Sequence, residues 1–295
     1  MTSALERATS TDIAPTTSHA GPVSSRPSRG PERPPLLLVG LAIVIAAGLF
    51  APILVVVWFS FNSTKSLSVF TGWSWRWYEM AWANESVRSA TLLSFQVALV
   101  VAVVSTVIGT GLAIGLRHTG ARLRIPFELL LLLTLVTPEI ASAIAALLLF
   151  TGLGVTLSPA TLIAAHITFS IPYVAIVVRA RLDSLHSQYE EAARDLGASP
   201  GSAVRLVVLP LLWPAIVGSS LLVFMFSFDN FVTSFFTSGP TAQTLPLYIY
   251  ASMRFGVTPE VNAIATIITV GTLTAGVLGL YLTSASSRRQ GGAGS

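Results

Sequence analysis

The stretch that decides the fold is residues 90–116, ATLLSFQVALVVAVVSTVIGTGLAIGL, which runs for 27 residues without a charged side chain. About 20 apolar residues in a helix are enough to cross the hydrocarbon core of a bilayer. Five further stretches have similar length and composition, at residues 36–61, 127–150, 160–178, 206–228 and 261–283. They are too long for barrel strands and lack alternation, so helices must satisfy their backbone groups. The sequence predicts an all-α membrane protein with six transmembrane helices.

The composition supports a membrane protein and disfavours several other classes. Apolar residues make up 53% of the 295 residues and charged residues only 10%, whereas soluble domains carry about 25% charged residues. There are no cysteines, which excludes disulfides and thiolate metal sites. Neither a His-Glu-x-x-His zinc motif nor a nucleophile elbow is present, which disfavours an intramembrane enzyme. We expect no catalytic residue and no metal site.

The distribution of basic residues predicts the orientation. With the N-terminus in the cytosol, thirteen of the seventeen Lys and Arg residues lie inside, as the positive-inside rule requires. Only four lie outside, namely Lys65, Arg76, Arg88 and Arg254. The net charge of +4 therefore reflects topology, and we expect no nucleic-acid partner. We predict a disordered cytosolic tail over residues 1–35, a membrane domain over 36–284 and a short cytosolic tail over 285–295.

The connection over residues 179–205 is the most polar part of the chain after residue 35. Apolar residues recur there at three- and four-residue spacing, which predicts one short helix with an apolar stripe through Leu182, Leu185, Tyr189, Ala192, Ala193 and Leu196. Gly197 is placed to end this helix, and Ser199 with Pro200 signals the start of the next. Glu190, Glu191, Arg194 and Asp195 would then lie at the surface. Such a protrusion suits docking into another protein.

Within this connection the chain resembles a known family. Glu191-Ala192-Ala193, then Gly197, then Val207-Val208-Leu209-Pro210 is similar to the EAA loop of permease subunits in ATP-binding-cassette (ABC) importers, with Val207 in place of the usual Ile. The resemblance implies the type I ABC importer permease fold and a bacterial inner-membrane location. It also implies that this helix docks on an ATPase and couples it to the membrane helices. The implied coupling residues are Glu190, Glu191, Ala192, Ala193, Asp195, Leu196, Gly197, Leu209 and Pro210.

A second resemblance concerns the substrate. Phe228-Asp229-Asn230-Phe231, the LPLYIY segment at 245–250 and the GVTPEVNAIAT segment at 256–266 are similar to the second permease of spermidine/putrescine-type importers. This implies a polyamine substrate, although Asn230 stands where many relatives have a second acid. It also implies three partners: a cytosolic ATPase dimer, a second homologous permease and an extracytoplasmic binding protein. The chain has no phosphate-binding loop, so ATP and Mg would bind to the ATPase and no cofactor to this chain.

Three polar groups lie in or beside the apolar stretches. Glu139 follows Thr137-Pro138, which predicts a broken helix whose second half starts at Pro138 and places the carboxylate at the positive end of a helix dipole. Glu139 is either a gate or cation contact, or a structural hydrogen bond between helices. Phe228, Asp229 and Asn230 either contact substrate or mark the membrane exit. For His166 we favour a hydrogen bond to a neighbouring helix over a titrating role.

Two alternative functions stay open on the sequence alone. The chain could be an ABC importer permease for another small solute. It could also be an autonomous ion-coupled transporter that uses Glu139, Asp229 and His166. Such transporters usually contain inverted repeats, and we find no convincing repeat between the two halves of the sequence.

Overall fold

A computed structural model describes residues 36–185, 188–254, 256 and 258–291, without the side chains of residues 275 and 278–291. The tail over residues 1–35, predicted to be disordered, lies outside the described residues. The chain divides into two units, residues 1–50 and 51–295, and the boundary falls within the first helix. The second unit contains the helix bundle.

The described residues are organised as helices, with one isolated bridge between Asn62 and Trp73. In chain order the helices are α1 (Leu36–Ser60), α2 (Arg76–Ala83), α3 (Glu85–Arg117), α4 (Ala121–Val136), α5 (Glu139–Gly152), α6 (Pro159–Ser184), α7 (Gln188–Asp195), α8 (Pro200–Ala203), a π-helical segment (Val204–Val208), α9 (Leu209–Phe228), α10 (Val232–Thr237), α11 (Leu245–Met253) and α12 (Pro259–Gly291). The predicted all-α class is confirmed. Helix α12 continues through residue 285 to Gly291, so part of the predicted C-terminal tail is helical, and its cytosolic location stays a prediction.

Four helical stretches in the described residues are long and apolar enough to cross a membrane: α1, α3, α6 and the continuous stretch Pro200–Phe228. Helices α4 and α5 are apolar enough to cross together but are bent by 107° at the break between them, which fits either a broken fifth span or a re-entrant loop. The sixth predicted span, residues 261–283, lies within α12, where some of the side chains are not described. Six crossings and cytosolic termini therefore stay predictions.

The break between α4 and α5 follows from Thr137 and Pro138. A residue before proline is pushed out of the helical region, and Thr137 accordingly has ψ 129°. Pro138 has ψ 132°, so it is also extended. Helix α5 then starts at Glu139, one residue after the predicted position, and the prediction of a broken helix is confirmed.

The π-helical segment before α9 follows from Pro210. Proline has no N–H to donate, and its ring clashes with the carbonyl four residues earlier in a regular α-helix, here that of Leu206. The turn widens instead, and the Leu209 backbone N–H donates to the Val204 carbonyl five residues back. The Leu-Pro pair of the EAA-like motif therefore has a direct structural effect at the start of the fifth predicted span.

Helices α3, α6 and α9 form the centre of the bundle. Their shared core consists of small and branched side chains that are almost fully buried, including Val97, Val101, Leu162, Val174, Val178, Leu212 and Val223. A close approach of α3 to α6 occurs at Gly109. A Cβ atom added there would lie 2.7 Å from Val174 Cβ and 3.1 Å from the Ile171 carbonyl oxygen. The crossing therefore depends on a residue without a side chain.

We predict that Gly109→Ala destabilises the protein by about 1–3 kcal/mol, the usual cost of overpacking a core. This cost exceeds the gain of up to about 1 kcal/mol in helix propensity when alanine replaces glycine. Thermal unfolding in detergent, followed by circular dichroism, measures the effect. Gly111→Ala is the matched control, because a Cβ at Gly111 meets nothing within 4 Å. An unfolding midpoint for Gly109→Ala as high as that of the control contradicts the prediction.

Candidate coupling loop and translocation cavity

The predicted docking helix exists as α7, but it is shorter than expected. Helix α6 continues to Ser184, Leu182 is buried within the helix bundle, and Leu185 is the C-terminal cap of α6 with ψ 128°. The prediction of one stripe from Leu182 to Leu196 was wrong. The apolar residues in the last turn of α6 and those in the separate helix α7 have the same three- and four-residue spacing, although they belong to two helices. Residues 186–187 between the two helices lie outside the described residues.

Gly197 ends α7 as predicted. It has φ +87°, a conformation that glycine adopts without a Cβ penalty. Its N–H donates to the Arg194 carbonyl, and the N–H of Ala198 donates to the Ala193 carbonyl, which together make a Schellman motif. Ser199 Oγ then accepts from the Ser202 N–H at the start of α8. The result is a tight helix-turn-helix.

One face of α7 is exposed in this chain. The exposed residues include Glu191, Ala192, Arg194 and Asp195, while Ala193 is half-buried. Just beyond the helix, the side chain of Leu196 is 90% exposed. Charged groups, a small residue and an apolar side chain are thus presented together on a short protruding element. This combination is typical of a surface that a partner covers.

Glu190 is the exception among the predicted surface residues. Its side chain is only 14% exposed, and it faces the C-terminal end of α3, with 4.0 Å from Oε2 to Arg117 Nη2 and 3.9 Å from Oε1 to His118 Nε2. The prediction that Glu190 is available at the surface was therefore wrong. Glu190 and Glu191 are neighbours on a helix and point in different directions, so one contacts its own chain and the other stays exposed.

A second ion-pair group beside this end of α3 was missed by the sequence reasoning. Arg179 near the end of α6 pairs with Glu128 on α4 and, at 3.5 Å, with Asp183. Arg124 Nε also lies 3.3 Å from Glu128 Oε1. The Arg124–Glu128 pair could have been predicted from the sequence, because residues four positions apart on a helix are neighbours. The Arg179–Glu128 contact could not, because it depends on how α4 and α6 pack.

A cavity of ≈ 810 Å³ lies between α5, α6, α9, α10 and α12. Its walls are mainly aromatic and aliphatic, with two carboxylates and an amide. The lining residues are Glu139, Phe169, Tyr173, Gly218, Leu221, Leu222, Phe224, Met225, Phe226, Asp229, Asn230, Phe231, Val232, Thr272 and Gly276. The cavity thus brings together Glu139 and the Asp229-Asn230 pair, which are about ninety positions apart in the sequence.

Glu139 is held by two hydrogen bonds from the segment that contains Asn230 and Thr233. Asn230 Nδ2 donates to Glu139 Oε1 at 2.6 Å, and Thr233 Oγ1 donates to the same oxygen at 3.3 Å. Asn230 Oδ1 accepts from the Thr233 N–H at 2.8 Å, which fixes the orientation of the amide. Glu139 also lies in the first turn of α5, where the helix dipole favours negative charge. It is both a hydrogen-bonding partner between helices and a cavity-lining carboxylate.

Phe228 and His166 do not take part in the cavity wall. Phe228 packs against the cluster of Leu245 and Ile264 and does not line this cavity, so its role as a pathway residue stays a prediction. His166 is 2% exposed. Its Nδ1 lies 2.8 Å from Ser227 Oγ and its Nε2 lies 3.3 Å from Ser234 Oγ. The interpretation of His166 as a hydrogen bond between helices agrees with this geometry.

Comparison with known proteins settles the family. A family model described as binding-protein-dependent transport system inner membrane component matches residues 105–291. The chain belongs to this family. Members are inner-membrane transport components, and the apolar helices of this permease agree with a multi-pass inner-membrane location.

Similar proteins share the larger part of the permease. It is 37% identical over 269 residues to the putrescine transport system permease protein PotI of Escherichia coli (strain K12), with 89% of this chain and 94% of that protein covered. It is 38% identical over 240 residues to the spermidine/putrescine transport system permease protein PotC of Haemophilus influenzae, with 81% and 93% covered. Its fold is similar to that in a crystal structure of a bacterial ABC transporter involved in alginate import, with a TM-score of 0.64 and 16% sequence identity. The similarity covers 82% of this chain and 94% of that chain.

We predict that Glu190→Gln loosens α7 in the permease, because it removes the charge that faces Arg117 and His118. An ion pair of this partial exposure contributes about 0.2–1 kcal/mol, so amide hydrogen exchange over residues 188–196 should rise by a factor of about 1.4 to 5. Hydrogen exchange with mass spectrometry measures this. Glu191→Gln is the control, since that side chain is exposed, and equal exchange in the two variants would contradict the contact.

Proposed function

We propose that this chain is the permease subunit of an ATP-driven importer for polyamines and forms half of the translocation pathway. The observation that carries the proposal is the cavity with Glu139 and Asp229 in its wall. Two carboxylates among aromatic rings match a solute with ammonium groups separated by methylenes. The ammonium groups pair with the acids or lie over ring faces, and the methylenes contact the apolar wall.

The charge of the cavity supports a cationic solute. No lysine or arginine is among the described residues that line it, so an anionic solute would meet two acids and no countercharge. The aromatic part of the wall is continuous, with Phe169 packed on Tyr173 and Tyr173 on Phe226. The names of the two relatives, which specify putrescine and spermidine transport, support the same solute class.

The proposal includes a six-span topology with both termini in the cytosol and a second, homologous permease that completes the pathway. A cavity on one side of a bundle forms a channel only when a second bundle faces it. An extracytoplasmic binding protein would deliver the solute, in agreement with the family description as binding-protein-dependent. In this topology α7 lies on the cytosolic side.

The exposed face of α7 is the proposed contact with an ATPase dimer, which would bind ATP and Mg. Glu191, Ala192, Ala193, Asp195 and Leu196 would make the contact, while Glu190 would hold α7 to α3. The turn at Gly197 leads through α8 and the π-helical segment Val204–Val208 directly into α9, which begins with Leu209 and Pro210. Helix α9 has 20 residues and spans about 30 Å, with Asp229 at its far end. One helix would thus connect the ATPase contact to the cavity.

We predict that Glu139→Gln lowers polyamine uptake about ten- to a hundredfold while ATP hydrolysis persists. The amide oxygen still accepts from Asn230, so the fold is retained, but a charge-assisted contact of about 1.5–3 kcal/mol is lost. Uptake of radiolabelled putrescine is measured in vesicles that contain the permease pair and the ATPase, with the binding protein added. Glu260→Gln is the matched control, because Glu260 also accepts from an amide, Asn84 Nδ2 at 3.1 Å, away from the cavity.

Equal uptake by the Glu139 and Glu260 variants would contradict the role of Glu139. The same vesicles test the rival function. If this chain alone, without ATPase or ATP, accumulates putrescine when an ion gradient is applied, the chain is an ion-coupled transporter and the proposal fails.

We predict that Gly197→Val uncouples transport from ATP hydrolysis. A Cβ at Gly197 meets nothing within 4 Å, so the effect comes from the left-handed backbone, which costs a residue with a side chain about 1–2 kcal/mol. The turn would change and α7 would dock in another direction. Gly201→Val in α8 is the control, since Gly201 is equally open but has no positive φ. The ratio of putrescine imported to ATP hydrolysed should fall for Gly197→Val and not for Gly201→Val; unchanged coupling in both would count against the proposal.

A further inference from the structure

A second groove, of ≈ 560 Å³, lies on the other side of α9 from the cavity, between α2, α3, α9, α11 and α12. Its described lining is almost entirely apolar and includes Leu92, Phe95, Phe228, Ile264 and Ile268. None of these lining residues is a carboxylate. The groove therefore does not match a polyamine, and its composition matches a hydrocarbon chain.

One end of the groove differs from the rest. Arg88 lines it there, in the first turns of α3, and the part of the chain that the structure describes gives this exposed side chain no ion pair. Trp82 lies beside it and is 78% exposed. Tryptophan is enriched at the boundary between hydrocarbon and headgroups, and arginine attracts anionic headgroups at the same depth.

We propose that this groove binds an anionic phospholipid, with an acyl chain against α3, α9 and α12 and the headgroup phosphate at Arg88. An apolar helix from a partner would fill the groove but would offer no group that pairs with the Arg88 guanidinium. A lipid satisfies both parts, because its chain is apolar and its headgroup is negative.

The position of the groove gives the lipid a structural consequence. Phe224, Met225 and Thr272 line both the groove and the cavity, so these side chains form a common wall. An acyl chain in the groove would pack against these side chains on the face of the wall that is turned away from the cavity. The site is independent of the solute, and its test does not depend on polyamine transport.

The test uses the full-length chain, reconstituted in vesicles of phosphatidylglycerol and phosphatidylcholine in equal parts, extracted again in detergent and analysed by native mass spectrometry for retained lipid. We expect the unmodified chain to retain phosphatidylglycerol in preference to phosphatidylcholine. Arg88→Gln should reduce phosphatidylglycerol retention about fivefold, the effect of one basic residue at a membrane surface. Gly271→Leu should reduce retention of both lipids, because a Cβ at Gly271 meets nothing within 4 Å and the larger side chain fills the groove.

Two matched controls separate the site from general effects. Arg76→Gln removes an arginine near the same end of the bundle that does not line the groove, and Gly152→Leu adds the same side chain at an open position on α5. Both should retain lipid as the unmodified chain does. The proposal is overturned if Arg88→Gln and Gly271→Leu retain as much phosphatidylglycerol as their controls. It is also overturned if a photo-crosslinking amino acid at position 271 captures another polypeptide in membranes rather than lipid.

Discussion

The structure of the cavity depends on the hydrogen bonds that Glu139 accepts from Asn230 and Thr233. Each partner sits where a helix is interrupted, α5 starting at Glu139 and α9 giving way to α10 around Asn230. Interrupted helices leave backbone groups and charges that lipid cannot satisfy, so they are stable only where they meet other polar groups. The Glu139 carboxylate and the Asn230 amide satisfy each other through their hydrogen bond. Both line the cavity, so one part of its wall is polar within a largely apolar bundle.

Much of the helical architecture could be predicted because it depends on short-range chemistry. Long uncharged runs predicted the helices, Thr137-Pro138 predicted the break, and Gly197 with Ser199 predicted the helix-turn-helix. The family resemblance, read from two motifs, was confirmed by the family model and by the relatives. In each case the decisive residues lie within a few positions of the feature that they determine.

The features that could not be predicted depend on the direction in which a side chain points. Glu190 and Glu191 are adjacent acids in the sequence, yet only one of them faces α3. Phe228 was grouped with Asp229 because the two are consecutive, but successive residues on a helix lie about 100° apart, and Phe228 does not line the cavity. The pairing of Arg179 with Glu128 joins residues about fifty positions apart and has no local signal. These contacts arise from helix packing.

The π-helical segment at Val204–Val208 places one extra residue in the turn between the docking element and α9. An added residue rotates the docking element by about 100° around the helix axis relative to α9. The direction in which α7 is presented relative to α9 thus depends on a proline that lies outside both α7 and the cavity wall. A chain that keeps the Leu-Pro pair is expected to keep this angular offset even where the residues of α7 differ.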